Sequence, residues 1–350
     1  MSPLSTTSDV RASAAVASAM PDGGSVPCVA QLAVLLAGQS SSTRAPRIST
    51  SLGIPTAALP ITAERSLAEC WIRRLALAGF RGTVVIAAAT AEEARYYRQI
   101  RPPELPAPVP AAVEGPSTEP IAIEVRVDTS SHRGPAGTLG DIAQERIAAG
   151  ARNAVDGGML VIEASNPPNA DLPRFLAAID PTQGALVGAA VDGSPCGVLW
   201  LSDAAIALVP RIGFYDLKEQ MVPAIVASGR KVHAWMGSHE SCRVSDRVSF
   251  LRAVALMQAA GAAALAPDAI IESGATVRGS SIVCRGAAVE RGALVVDSVV
   301  MPGARVCADA VVARSIVPPG SHVPRGYLVV DEVFGALGSA TKYATEGGAS

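Results

Sequence analysis

Lysine is nearly missing from this chain. Of its 29 basic residues only Lys218, Lys231 and Lys342 are lysines, so any site that needs a lysine at a fixed place has three candidates. There is no excess of positive charge either: the formal net charge is -2, which excludes the basic footprint of a nucleic-acid-binding protein. No apolar run reaches the length of a membrane span. Residues 1–28 are rich in Ser, Ala and Thr but lack a basic segment followed by a compact apolar one. They read as a disordered leader, not a signal peptide. The cysteines Cys28, Cys70, Cys196, Cys242, Cys284 and Cys307 are scattered, with no Cys-x-x-Cys pair and no Cys-His cluster. That sets aside a disulfide framework and a zinc site in favour of thiols in a reducing cytosol. Charged residues make up only 17% while Ala, Gly and Val abound, a balance suited to close-packed β-structure with small-residue turns and also the imprint of a GC-rich genome. The expectation is a soluble, cytoplasmic protein, with room in 350 residues for two domains.

What is present is a repeat. Ile271, Val277, Val283, Val289 and Val295 fall six residues apart, Met301 and Cys307 continue the count, and Gly-Ala pairs recur between them at 274–275, 286–287, 292–293 and 303–304. An amphipathic helix would place its apolar residues three and four apart. One aliphatic residue per six predicts a parallel β-helix, in which each short strand covers one flat side, the aliphatic side chain points inward, and small residues turn the corners.

Upstream, strand and helix patterns alternate. Residues 31–37 read as a buried strand ending in the polar loop Gly38–Arg44, Ser66–Ala78 as a helix, Thr83–Ala88 as a strand, and Ala91–Gln99 as a helix. Residues 101–119 are dense in Pro and Glu and predict a surface excursion. Ile121–Val127 resumes the sheet, Arg133–Gly140 reads as a Gly-rich loop before a helix at Asp141–Ala154, and Met159–Ile162 as another strand. Leu172–Ile179, Asp203–Val209, Leu217–Ala227 and Ser249–Ala260 predict helices, Ala185–Val191 and Gly197–Leu201 strands. The alternation argues a doubly wound α/β domain. The division expected is a leader at 1–28, an α/β domain at 29–262, the β-helix at 263–332 and a flexible tail at 333–350.

An α/β domain followed by hexapeptide repeats resembles the sugar-1-phosphate nucleotidyltransferases, the NDP-sugar pyrophosphorylases. The likeness runs through Leu35-Leu36-Ala37-Gly38, Ala58-Leu59-Pro60-Ile61, Ser66–Glu69, Gly137-Thr138-Leu139-Gly140, Gly213–Gln220 and Asp297–Gly303. It implies a Rossmann-like nucleotidyltransferase domain and a left-handed β-helix. It also implies attack of a sugar-1-phosphate on the α-phosphate of a nucleoside triphosphate, for which cations and Mg²⁺ must balance the charge on phosphate oxygens. By that resemblance Leu36, Ala37, Gly38, Gly137, Thr138 and Gly140 line the nucleotide, and Lys218 and Glu219 rim the sugar pocket. Arg44 and Glu163 are left as the candidate catalytic groups, and no residue is assigned to a metal.

The chain departs from the family where the chemistry is done. Its loop reads Gly38-Gln39-Ser40-Ser41-Ser42-Thr43-Arg44, with two of the family's three glycines lost. The catalytic lysine falls on Thr56, the two metal aspartates on Ser165 and Arg243, and the Glu-Lys-Pro grip on the sugar phosphate has no counterpart between Ala185 and Gly197. The expectation is a catalytically impaired homologue that binds a nucleotide or sugar nucleotide. It would act as a regulatory or scaffold subunit, in a homo-oligomer or with an active nucleotidyltransferase. A rewired active pyrophosphorylase for polysaccharide synthesis, with Arg44, Arg133 and Glu163 carrying the load and Mg²⁺ as cofactor, is the alternative. A β-helix acyltransferase using His322 is the remote one. His233, His239, Trp235, Trp71, Tyr96 and Tyr97 read as packing or surface residues.

Overall fold

A computed structural model describes residues 30–37, 47–103, 121–128, 133–149, 157–168, 171–240 and 242–335. The leader expected at 1–28 and the tail beyond 335 lie outside them. Seven strands form one sheet: β1 Leu32–Leu36, β2 Thr83–Ala88, β3 Ala122–Val127, β4 Met159–Glu163, β5 Ala185–Ala189, β6 Pro195–Leu201 and β7 Val232–Met236. Their order is β3-β2-β1-β4-β6-β5-β7, and only β6 runs antiparallel to its neighbours. Strands such as Leu32-Ala33-Val34-Leu35-Leu36 are apolar throughout because both faces are covered. Helices α2 Leu67–Leu77, α3 Ala91–Tyr97 and α5 Leu172–Ala177 fill one face around Trp71, Tyr97 and Phe175. Helices α4 Gly134–Ala148, α6 Asp203–Ile206 and α7 Val222–Ala227 fill the other around Leu139, Met221 and Ile225.

Local signals explain most of these elements. Helix α2 starts at Ser66 because the Ser66 hydroxyl accepts from the Glu69 N–H while the Glu69 carboxylate accepts from the Ser66 N–H, a reciprocal cap. Two elements were not expected: the short α1, Ile48–Leu52, and β7. Strand β7 is an exposed edge whose Val-His-Ala-Trp-Met sequence lacks a clean alternation. The stretch expected as a helix at 217–227 opens as a π-helical turn at Leu217–Met221 before α7.

One correction bears on function. Residues 133–140, expected as a glycine-rich loop, are the opening two turns of α4, which begins at Gly134 with Pro135 in its first turn and not at Asp141. Proline is suited to that position because its missing N–H has no partner to lose.

The C-terminal strands are β8 Ile270–Ile271, β9 Thr276–Arg278, β10 Ile282–Val283, β11 Ala288–Val289, β12 Leu294–Val296, β13 Val299–Val300, β14 Arg305–Val306, β15 Val311–Ala313, β16 Ile316–Val317, β17 His322–Val323 and β18 Leu328–Val330. They stack in parallel as three sheets, the three sides of a β-helix. Ile270 pairs with Ala288, eighteen residues on, but Ala288 pairs with Arg305 and Arg305 with His322 at seventeen. The inward, fully buried column therefore runs Val283, Val289, Val295, Val300, Val306, Val312, Val317, Val323, Val329. The spacing of six drops to five once per coil. Met301 and Cys307, which continue a strict count of six, are not inward: Met301 is buried against the outer cluster under helix α8, Arg247–Ala259, and Cys307 is partly exposed.

The corner before the shortened step explains how a residue can be dropped. Gly279, Asp297, Arg314 and Asp331 occupy it in successive coils, all in the left-handed region. Just after it, the stacked hydroxyls of Ser281, Ser298 and Ser315 accept from the N–H groups of Ser298, Ser315 and Glu332. The side formed by β10, β13 and β16 is covered by α8. There Phe250, Ala253 and Val254 meet Ile282, Val299, Met301 and Ile316, in one cluster with Ile48, Leu59 and Ile61. No helix among the described residues is long and apolar enough to cross a membrane.

Candidate functional site

Strand order reverses beside β1: β2 and β3 follow on one side, β4 on the other. In open α/β sheets the chains leaving the C-terminal ends of the two strands at such a point diverge and open a crevice. Leu36 and Glu163 are register partners at those ends, and Ala164 N–H donates to the Leu36 carbonyl at 3.2 Å. Ala37, buried, donates to the Ala87 carbonyl at 3.0 Å. The structure thus brings together Leu36, Ala37 and Glu163. Gly38 and Arg44 lie outside the described residues.

Lys218 joins them from the π-helical turn. Its Nζ lies 3.8 Å from Glu163 Oε1. The turn is held by the Asp216 carboxylate, which accepts from the N–H groups of Lys218 and Glu219 at 2.7 and 2.8 Å. With the lysine side chain 61% exposed, this pair contributes about 0–1 kcal/mol to stability and matters more as a local charge arrangement. Glu219, one residue on, is exposed.

The glycines of α4 serve packing. A Cβ on Gly140 would stand 2.6 Å from Val209 Cγ1, and one on Gly137 2.9 Å from Arg133 Cβ. Thr138 is buried, its hydroxyl donating to the Asp128 carboxylate. The N–H groups of Ala136 and Gly137 both donate to the Tyr215 carbonyl, at 3.2 and 3.3 Å. The stretch expected as a loop lining the nucleotide is thus a helix start plugged by the Tyr215 carbonyl. Arg133 is likewise occupied. Its guanidinium pairs with both Asp141 oxygens at 2.8 and 3.1 Å and donates to the carbonyls of Gly213 and Pro210. It pins the 210–216 segment to α4 with four of its five N–H donors and is buried there, committed away from the role the rewired-enzyme reading gave it.

The three positions where the family's catalytic groups are lost can now be placed. Thr56 is buried in a 3-10 turn at Thr56–Ala58. Ser165 and Arg243 are neighbours: Val244 N–H donates to the Ser165 carbonyl at 2.8 Å. Cys242 and Val244 are buried to either side of Arg243, which is exposed. Sequence reasoning gave Arg243 no role. The signal was available, a single arginine between two apolar residues in an extended stretch.

The turn after β4 is rigidly held. Asn166, 4% exposed, donates its N–H to the Glu163 carbonyl at 3.0 Å and accepts the Trp71 indole N–H at 2.6 Å. Further along the same edge, the Asp171 carboxylate accepts from the Ser238 N–H and hydroxyl at 2.6 and 2.7 Å and lies 3.3 Å from His239 Nδ1. Burial works to raise the Asp171 carboxyl, but the bonds from Ser238 and His239 outweigh it and hold it below the usual carboxylate range. A depressed carboxylate stabilises the fold fully above its unfolded value, near pH 3.9, and loses that contribution as the pH falls through the depressed range. Asp171→Asn is therefore expected to lower stability at neutral pH and to flatten the acid limb of a urea-denaturation profile. An unchanged acid limb would contradict it.

His322 stands exposed on β17, in register with Arg305, which is paired with Glu290 at 2.8 Å. A polar cleft of about 540 Å³ lined by Asp180, Arg230, Lys231 and His233 opens at the β7 edge of the sheet, away from the crevice beside β1.

No curated protein matches the chain. Residues 252–333 match the family described as GlmU-like, C-terminal hexapeptide. The match begins within α8 and covers the whole β-helix but none of the seven-stranded sheet, so the C-terminal domain is similar to the hexapeptide domain of GlmU-like proteins.

Proposed function

We propose that the chain is a nucleotidyltransferase homologue that binds a sugar nucleotide at the C-terminal ends of β1 and β4 and does not turn it over efficiently. The observation that carries this reading is the pairing of Ser165 with the Arg243 segment beside Glu163. A crevice at the strand-order reversal suits a nucleotide. Yet its chemical positions hold a hydroxyl and a guanidinium where pyrophosphate-releasing chemistry needs carboxylates for a metal. The hexapeptide match supports the wider family setting. The protein works as a binding subunit, in a homo-oligomer or beside an active nucleotidyltransferase.

The test is pyrophosphate release by the full chain with Mg²⁺ over a grid of nucleoside triphosphates and sugar-1-phosphates, alongside thermal unfolding with sugar nucleotides. The expected result is no rate on any pair and a raised Tm with at least one sugar nucleotide. A definite rate on one pair would establish an active enzyme, and Glu163→Gln would then be the variant to assay. Neither rate nor thermal shift would remove the reading altogether.

A further inference from the structure

The crevice has a charge inventory that points away from a metal. Mg²⁺ takes oxygen ligands in near-ideal octahedral geometry and is usually anchored by one or two carboxylates. Near the crevice the carboxylates are committed elsewhere. Asp128 takes the Thr138 hydroxyl and Asp141 the Arg133 guanidinium. Asp216 caps the π-helical turn, and Asp246 caps α8 through the N–H and hydroxyl of Ser249. Asp171 is held by Ser238 and His239. Two remain: Glu163, whose partner is an ammonium group, and Glu219, exposed to solvent on the π-helical turn one residue past that lysine. The stretch 38–46, which leaves β1 at this point, contains no Asp or Glu. Among the described residues no three His, Cys, Asp or Glu side chains gather as a metal site. The donor set does not fit Mg²⁺.

It does fit phosphate. Lys218 and Arg243 are both exposed, on segments tied to the end of β4 from two sides, the one through Glu163 and the other through Ser165. Because Cys242 and Val244 point into the cluster under α8, Arg243 leaves the chain on the opposite face. A guanidinium offers phosphate a planar, bidentate pair of donors and keeps its charge at any working pH. An ammonium held loosely by a carboxylate can turn to a more highly charged anion.

We propose that this crevice holds the diphosphate of its ligand without a divalent metal, on Arg243 and Lys218, the guanidinium replacing the metal as counter-charge. The proposal rests on the sugar-nucleotide reading and specifies how that ligand is bound.

Isothermal titration of the full chain with ADP-, GDP-, UDP-, CDP- and dTDP-glucose, and with inorganic pyrophosphate, in excess EDTA and then in excess Mg²⁺, tests it. Binding of at least one probe in EDTA is expected, with affinity changed by Mg²⁺ no more than about twofold. Arg243→Ala should weaken that binding about ten- to a hundredfold, the worth of a charge-assisted hydrogen bond, with an unchanged Tm because the residue is exposed. Arg243→Lys should recover part of it. Binding that disappears in EDTA and returns with Mg²⁺ would overturn the metal-free site while leaving the sugar-nucleotide reading standing. Metal-free binding indifferent to Arg243→Ala would overturn the assignment of the arginine. No binding of any probe in either condition would take down both readings.

Discussion

Val306→Asp is expected to destroy the cooperative unfolding of the β-helix, while Cys307→Ser leaves it within about 1 kcal/mol of the parent protein. Val306 is fully buried in the inward column, stacked in register between Val289 and Val323. A carboxylate there has only aliphatic neighbours, so it must either remain charged in a dry interior or take up a proton and stay unbonded. Either course costs several kcal/mol, and about 4 kcal/mol or more is the range in which a single change unfolds a domain. Cys307 sits one residue on, partly exposed on the outer face, where exchanging a thiol for a hydroxyl leaves no cavity and no orphaned donor. Far-UV circular dichroism during heating would separate the two. If the count of six persisted past Val295, Cys307 would be the inward residue and the order of the two variants would reverse.

That contrast also shows where sequence stops being informative. The repeat is legible because a triangular coil repeats the same side, and the inward column up to Val295 can be read directly. The shift at Val300 is not legible because a corner can lose a residue without turning the next side chain outward. At that corner Gly279 gives way to Asp297, Arg314 and Asp331, of which Asp tolerates the left-handed region better than Arg but neither is a glycine that would announce it in sequence. Two facts help hold the strained corner, and both depend on the stacked coils. Asp331 accepts two hydrogen bonds from Arg314, at 2.6 and 2.9 Å, and the Ser281–Ser298–Ser315 hydroxyls bond from coil to coil. Neither exists in an isolated hexapeptide.

The α/β domain divides in the same way. Buried strands such as β1 and β2 and the capped helix α2 carry their own signals. The glycine pattern at 137–140 misleads because glycine serves equally a loop that must approach a ligand and a helix that must approach Val209 and Arg133. Glu163 and Lys218 could each be picked out singly, but their 3.8 Å approach joins segments more than fifty residues apart and emerges only when the sheet and α4 are assembled. Arg243 reads in sequence as a loss, a missing carboxylate. Only the bond from the neighbouring Val244 N–H to the Ser165 carbonyl, just past β4, shows that it also brings a cation to that place.

Gly197→Ala is expected to lower stability by about 3 kcal/mol and to disturb the crevice from a distance, while Gly193→Ala costs about 1 kcal/mol and leaves ligand binding alone. Both glycines have positive φ, 79° and 80°, so both substitutions carry a backbone penalty. They differ in what the new methyl group meets. At Gly193 nothing lies within 4 Å, whereas at Gly197 the Cβ would stand 2.4 Å from Asn166 Nδ2 and 2.8 Å from its Cγ. Asn166 cannot simply swing aside. It is buried, its side-chain amide donates to the Glu163 carbonyl at 3.4 Å, and its Cβ, which no side-chain rotation moves, would itself stand 3.1 Å from the new methyl group while its backbone is held by Trp71 and Glu163. Relief must come from movement of the 164–166 turn, which carries Glu163 at one end and, through Ser165, the Arg243 segment. For a domain of the size of the α/β unit about 3 kcal/mol corresponds to a fall in Tm of roughly 6–12 °C. The informative comparison is between stability and sugar-nucleotide affinity measured well below that temperature. If Gly197→Ala weakens binding while folded and Gly193→Ala does not, the turn after β4 positions the binding groups. Equal effects of the two variants on both quantities would show that backbone strain alone was felt and that Asn166 holds nothing in place.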